Sequence, residues 1–100
     1  MQQIDAQSFN SRLKGSEPLI LLDVREEIEY HTYNIGGTNI PLSQLTEKLA
    51  LVAPNKSAEI IVICKAGLRS QTAQAILIQN GFTNVKNLTG GLLAMQRLQA

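Results

Sequence analysis

The chain carries one cysteine, and its immediate neighbours give that cysteine chemical interest. The stretch Cys64-Lys65-Ala66-Gly67-Leu68-Arg69-Ser70 follows the apolar run Ile60-Ile61-Val62-Ile63. It precedes Gln71-Thr72-Ala73-Gln74-Ala75-Ile76-Leu77, whose apolar residues recur at helical spacing. Cys64 is therefore predicted where a strand ends and a helix begins. The backbone N–H groups of a tight loop and of a first helical turn have no partners inside the helix, so they converge on whatever lies above the cysteine. The helix N-terminus, together with Lys65 and Arg69, favours thiolate over thiol. A thiolate in an anion-binding cup is a nucleophile suited to anionic substrates. A lone cysteine after a β-branched run is ordinarily an inert core residue. Core burial, however, explains neither Gly67 nor the two cations, so Cys64 is read as reactive.

Two apolar runs without polar alternation, Leu19-Ile20-Leu21-Leu22 and Ile60-Ile61-Val62-Ile63, have the pattern of strands covered on both faces and belong inside a sheet. Helical spacing is seen in Ala6, Phe9 and Leu13 after a possible Asp5 cap, in Leu42, Leu45 and Leu49 after Pro41, and in Ala73, Ile76 and Leu77 after Ser70. Short edge strands are expected at Gln2 to Ile4, Thr38 to Ile40 and Val85 to Leu88, and a last helix from about Leu92 to Leu98 after Gly90-Gly91. Asn80-Gly81 is a helix stop, because glycine accepts the left-handed conformation needed there. Strands separated by helices give an α/β fold: a single domain over residues 1–100, with a central parallel sheet of about five strands and helices on both faces.

In such a sheet ligands bind outside the carboxyl ends of the strands, where Cys64 lies. Asp23 ends the other central strand on the same edge and is read first as a cap for the helical turn Glu26 to Tyr30, and second as a polarising carboxylate near the site. Arg25 and Glu29, four residues apart, are expected to form a local ion pair. His31 lies in a polar stretch and is expected to be solvated, since a thiolate activated by its loop needs no base. Ser70 is expected to cap the helix and could donate to the sulfur.

Composition narrows the partners. The 100 residues include nine basic and eight acidic side chains, for a net charge of +1, and 4% aromatics, so neither a nucleic-acid footprint nor a stacking platform is indicated. One cysteine excludes an internal disulfide, and one cysteine with one histidine cannot supply a structural zinc site, so neither metal nor organic cofactor is expected. No apolar stretch approaches a membrane span, and Met1-Gln2-Gln3-Ile4-Asp5 lacks a basic segment followed by an apolar one. No membrane partner, a cytoplasmic location and a monomer are the expectations.

The chain also resembles the single-domain rhodaneses, a family of sulfurtransferases, over nearly its whole length. The resemblance is carried by Asp23-Val24-Arg25 with Glu29-Tyr30, Gly37 with Asn39-Ile40-Pro41-Leu42, the Cys64 to Ser70 loop, Gly81-Phe82 with Asn84-Val85, and Leu88-Thr89-Gly90-Gly91. It implies that Cys64 takes a sulfane sulfur from a small anionic donor such as thiosulfate, holds it as a persulfide, and passes it to a thiol, cyanide or protein acceptor. Lys65, Ala66, Gly67, Leu68, Arg69 and Ser70 would form the substrate-binding loop, with N–H groups holding the terminal sulfur and the two cations attracting the donor. Two departures from the family pattern are visible. The stretch Asn34-Ile35-Gly36-Gly37-Thr38-Asn39-Ile40-Pro41 is one residue shorter and lacks a common histidine, and Met95 stands where tryptophan is common.

Two rivals are weaker. Cysteine phosphatases and arsenate reductases place five residues between cysteine and arginine to surround a tetrahedral oxyanion, whereas four separate Cys64 from Arg69. A persulfide carrier or rhodanese-like binding module is the other alternative, and a module used only for docking would have no need of Cys64.

Overall fold

The computed structural model describes residues 2–99. Its strands are β1 (Gln2–Ile4), β2 (Ile20–Asp23), β3 (Thr38–Asn39), β4 (Ile60–Ile63) and β5 (Val85–Leu88), and its helices are α1 (Ala6–Lys14), α2 (Glu27–Thr32), α3 (Leu68–Gln79) and α4 (Gly91–Leu98). The five strands form one sheet in the order β1-β5-β4-β2-β3 with every neighbouring pair parallel, so β5, expected at an edge, lies inside the sheet because β1 pairs along its outer side. The expected α/β architecture with a five-stranded parallel sheet is therefore what the chain adopts. The two uninterrupted apolar runs lie in the interior strands β2 and β4, and every residue of β4 is buried.

Alternation along the strands sorts the core into two halves, because successive side chains leave a strand on opposite faces. Leu22, Ile60, Val62 and Val85 pack with Leu45, Ala73, Leu77 and Phe82 on the α3 face. Leu21, Ile61, Ile63 and Leu88 pack with Phe9, Leu92 and Met95 on the α1 and α4 face. Met95 is 2% exposed, so it fills the apolar space expected of it. The same parity decides where the cysteine points. Ile63 faces α1 and α4, so Cys64, one residue on, faces α3 and joins the core of that side.

The N-terminus of α1 is the cap read from the sequence: Ser8 N–H donates to Asp5 Oδ1 at 2.7 Å. Asn80 ends α3, and Gly81 follows at φ +91. The segment after Pro41 differs from expectation. It is 3-10 helix over Leu42–Glu47 and again over Leu49–Leu51, not α-helix. Leu42 and Leu45 are three residues apart, the repeat of a 3-10 turn, and both rest on the core beside α3. Among the described residues no helix is long and apolar enough to cross a membrane.

Candidate functional site

The loop between β4 and α3 holds Cys64 at the carboxyl edge of the sheet, next to the end of β2. Gly67 is the residue that turns the chain into α3. It sits at φ +96, in the left-handed region, and a Cβ there would come within 3.1 Å of the Gly90 nitrogen. The turn brings two backbone donors and one hydroxyl onto one sulfur. Gly67 N–H reaches Cys64 Sγ at 3.0 Å, Ser70 N–H at 3.3 Å, and Ser70 Oγ lies 3.2 Å away. Cys64 is 1% exposed, so this sulfur is held by protein dipoles rather than water.

Ser70 departs from its expected role. The helix cap is Gly67, and Ser70 is the third residue of α3. Its hydroxyl bridges Cys64 Sγ and the side chain of Asn87, which is itself buried and donates from Nδ2 to Gly67 O at 3.4 Å. A hydroxyl has one proton and can also accept, so Ser70 can accept from a thiol while donating to Asn87, or turn its proton toward a thiolate. Asn87 went unnoticed in the sequence, although it carried a signal. It shares strand parity with Val85, so a polar side chain had to face the interior and find a partner there.

The charged residues are arranged differently from their sequence spacing. Arg25 does not pair with the Glu29 carboxylate. Its guanidinium donates to both Asp23 oxygens, Nε to Oδ1 at 3.0 Å and Nη2 to Oδ2 at 2.7 Å, and Nη2 also reaches Tyr33 O at 2.7 Å. Asp23 and Arg25 are 0% and 5% exposed, so this is a buried pair that anchors the chain leaving β2. Asp23 is also not the cap of the following turn. That helix, α2, is capped by its own residues, with Glu26 N–H donating to Glu29 Oε1 at 3.1 Å.

Glu29 is instead the partner of Arg69. Arg69 Nη1 donates to Oε1 at 2.5 Å and Nη2 to Oε2 at 2.9 Å, a two-pronged contact joining α2 to the first turn of α3. Arg69 beside it holds the Glu29 carboxyl down at about 2, and Glu29 in turn raises Arg69. The cation expected to reach freely for substrate is thus already matched by a carboxylate, and no spacing rule linked two residues 40 apart. Lys65 is exposed and makes no ion pair among the described residues. Ala66 and Leu68 are exposed on the rim, Leu68 at 73%, while His31 is exposed at the end of α2, away from any contact with the sulfur. The described residues contain no cluster of side chains suited to a metal ion.

A second helix locks the loop from behind. Leu92 N–H donates to Cys64 O and Leu93 N–H to Lys65 O, both at 3.0 Å, so orphan amides of the first turn of α4 are satisfied by the loop's carbonyls. Gly91 permits this approach. At φ +62 it has no side chain, and a Cβ would lie 2.4 Å from Cys64 O. The arrangement as a whole can stabilise a negatively charged sulfur on Cys64 and can offer Lys65 to an incoming anion.

Comparison with known proteins gives the family. The profile of the rhodanese-like domain matches residues 5–98. The adenylyltransferase and sulfurtransferase MOCS3-1 of Zea mays is 39% identical over 95% of this chain, which spans 22% of that protein's length. The thiosulfate sulfurtransferase PspE of Escherichia coli is 37% identical over 78% of this chain and 77% of its own. The crystal structure of a rhodanese-like domain protein from Staphylococcus aureus superposes with a TM-score of 0.85 at 27% identity, covering 95% of this chain and 91% of the other. With its five-stranded parallel sheet and a cysteine loop at the sheet's carboxyl edge, the chain belongs to the rhodanese-like domain family, whose sulfurtransferase members are among its relatives.

Proposed function

We propose that residues 1–100 form one rhodanese-like sulfurtransferase domain that moves sulfane sulfur through a persulfide on Cys64. The thiolate attacks the outer sulfur of an anionic donor such as thiosulfate. A new S–S bond forms on Cys64, the donor's S–S bond breaks, and sulfite leaves with its electron pair. A thiol, cyanide or protein acceptor then attacks the outer sulfur of the persulfide and restores the thiolate. Gly67, Ser70 and the rest of the loop from Lys65 to Arg69 form the binding site.

The observation that carries this reading is the convergence of Gly67 N–H, Ser70 N–H and Ser70 Oγ on Cys64 Sγ within 3.3 Å. Donors preorganised around a developing negative charge stabilise it without reorganisation, and the charge here is on sulfur throughout. The Arg69 contact with Glu29 supports the same choice over phosphate chemistry, since a phosphatase needs its arginine turned onto the phosphate oxygens. The name of the Escherichia coli relative supports thiosulfate as a donor.

The test is intact-protein mass spectrometry after incubation with thiosulfate. One sulfur atom gained by the wild type, removed again by cyanide and absent in Cys64→Ser, is the expected result. Thiosulfate:cyanide turnover retained by Cys64→Ser would remove the persulfide reading.

A further inference from the structure

The hydroxyl of Ser70 has one proton and two acceptors within reach. Cys64 Sγ lies 3.2 Å from Oγ, and on its other side Oγ–H donates to Asn87 Oδ1. Ser70 and Asn87 are 0% and 1% exposed, so bulk water does not compete for that proton. The way Asn87 faces is fixed by its other end. Gly67 O can only accept, and it takes Asn87 Nδ2 at 3.4 Å, which leaves the amide oxygen toward Ser70. Turned the other way, Asn87 would set its oxygen against a carbonyl and give Ser70 a second donor.

The amide therefore competes with sulfur for the hydroxyl proton, and charge decides which of them holds it. Hydrogen bonds to an ionised acceptor are about twice as strong as neutral ones. A thiolate on Cys64 draws the proton away from Asn87. In the loaded state Cys–S–S⁻ the inner atom Sγ is uncharged, the charge sits on the outer sulfur, and the proton returns to Asn87. When cyanide attacks the outer sulfur, a C–S bond forms, the S–S bond breaks and its electron pair stays on Sγ. Thiocyanate leaves, two negative charges are present before and after, and the hydroxyl has to give up Asn87 to meet the new thiolate.

We propose that Asn87 is a positioning residue that holds the Ser70 hydroxyl off Cys64 Sγ while sulfur is loaded, and so lengthens the life of the persulfide. This rests on the sulfur-transfer reading and adds to it a residue that acts through Ser70 without touching the reacting atoms.

The experiment loads the full chain with thiosulfate, removes the donor, mixes the protein with cyanide and follows loss of the persulfide in a single turnover. Asn87→Leu removes the competing oxygen and should discharge about fivefold faster than the wild type, the worth of one neutral hydrogen bond. Asn87→Val, smaller and suited to a strand, should do the same. A contact that served only the fold would slow discharge when lost. A looser loop that merely admitted cyanide would speed discharge in any background, so the gain is measured again together with Ser70→Ala, where it should vanish. Asn87→Asp keeps an oxygen toward the hydroxyl and should discharge no faster than the wild type. Unchanged or slower discharge in the apolar variants, a gain that persists beside Ser70→Ala, or faster discharge in Asn87→Asp overturns the role of Asn87 and leaves sulfur transfer standing. If neither apolar variant folds, Ser70→Ala alone decides. It should discharge more slowly than the wild type, because the leaving thiolate has lost a donor, and an equal or faster rate overturns the role. A wild-type Cys64 that takes up no sulfur overturns both readings.

Discussion

Two junctions in this molecule are built alike and used differently. β4 leads through a left-handed glycine, Gly67 at φ +96, into α3, and β5 leads through another, Gly90 at φ +76, into α4. Each helix begins with amides that its own backbone cannot satisfy. At α4 those amides are taken up by the carbonyls of Cys64 and Lys65. At α3, Gly67 N–H and Ser70 N–H point at a sulfur. A helix N-terminus is therefore no site by itself, because backbone carbonyls can take up its amides. It becomes one where the atom beneath can change its charge or gain a ligand. The α4 junction serves the α3 junction, since it fixes the loop whose geometry the sulfur depends on.

Substituting Gly91 at one junction and Gly67 at the other is the strongest way to break this comparison. In Gly91→Ala the new Cβ would meet Cys64 O at 2.4 Å and Lys65 O at 2.5 Å, both backbone atoms, so α4 and the loop must separate. A loss on the order of 3 kcal/mol in urea unfolding is expected, together with a collapse of sulfur loading, because the loop's support goes with it. Gly67→Ala meets its nearest atom at 3.1 Å and mainly bears the left-handed strain, about 1–2 kcal/mol. Gly67→Ala more destabilising than Gly91→Ala would contradict the supporting role given to α4.

A smaller effect is expected from the donors themselves. Ser70→Ala keeps the amide on the sulfur and removes the hydroxyl, so persulfide formation should fall by about tenfold to a hundredfold in single-turnover measurements. It also leaves the Asn87 oxygen without the hydroxyl it accepts from, which adds about 1–3 kcal/mol of destabilisation. Ser70→Thr should restore most of both. If Ser70→Ala loads sulfur at the wild-type rate, the hydroxyl belongs to the Asn87 contact alone.

The same contrast explains what could be read from the sequence. The apolar runs fixed β2 and β4, and local turn chemistry placed Asp5, Asn80 and the Cys64 loop, because each depends on neighbours in the chain. The pairings of Asp23 with Arg25 and Glu29 with Arg69 were misread for the opposite reason. Helical spacing linked Arg25 to Glu29, but Arg25 precedes the helix, and the fold brought α3 up to offer Glu29 a better partner. Asn87 and the purpose of Gly91 were hidden for a related reason, since the atoms that explain them belong to a different loop. The leucines after Pro41 were read as an α-helix because three residues of spacing fit both helix types.

The smallest expected effect concerns the two edges of the sheet, each tied by a glutamate. At the carboxyl edge Glu29 is held at about 2 by Arg69. At the opposite edge Glu59 is held at about 2, first by Arg12, with Lys86 also in contact. Both folded values lie below the ordinary 4.5, so each carboxylate stabilises the fold above that value and loses the contribution as pH falls toward 2. Thermal midpoints should therefore drop over that window. Glu59→Gln should flatten part of the fall and leave sulfur loading at neutral pH as it was, because Glu59 touches nothing at the cysteine loop. Glu29→Gln should flatten another part while altering the rate of sulfur loading, because it frees Arg69 beside the cysteine loop. The two substitutions lie at opposite ends of the sheet and share no partner, so their effects on the acid limb should add. Equal changes in sulfur loading from both variants would mean that the edges are coupled through the sheet, and the division between a supporting edge and a reacting one would fail.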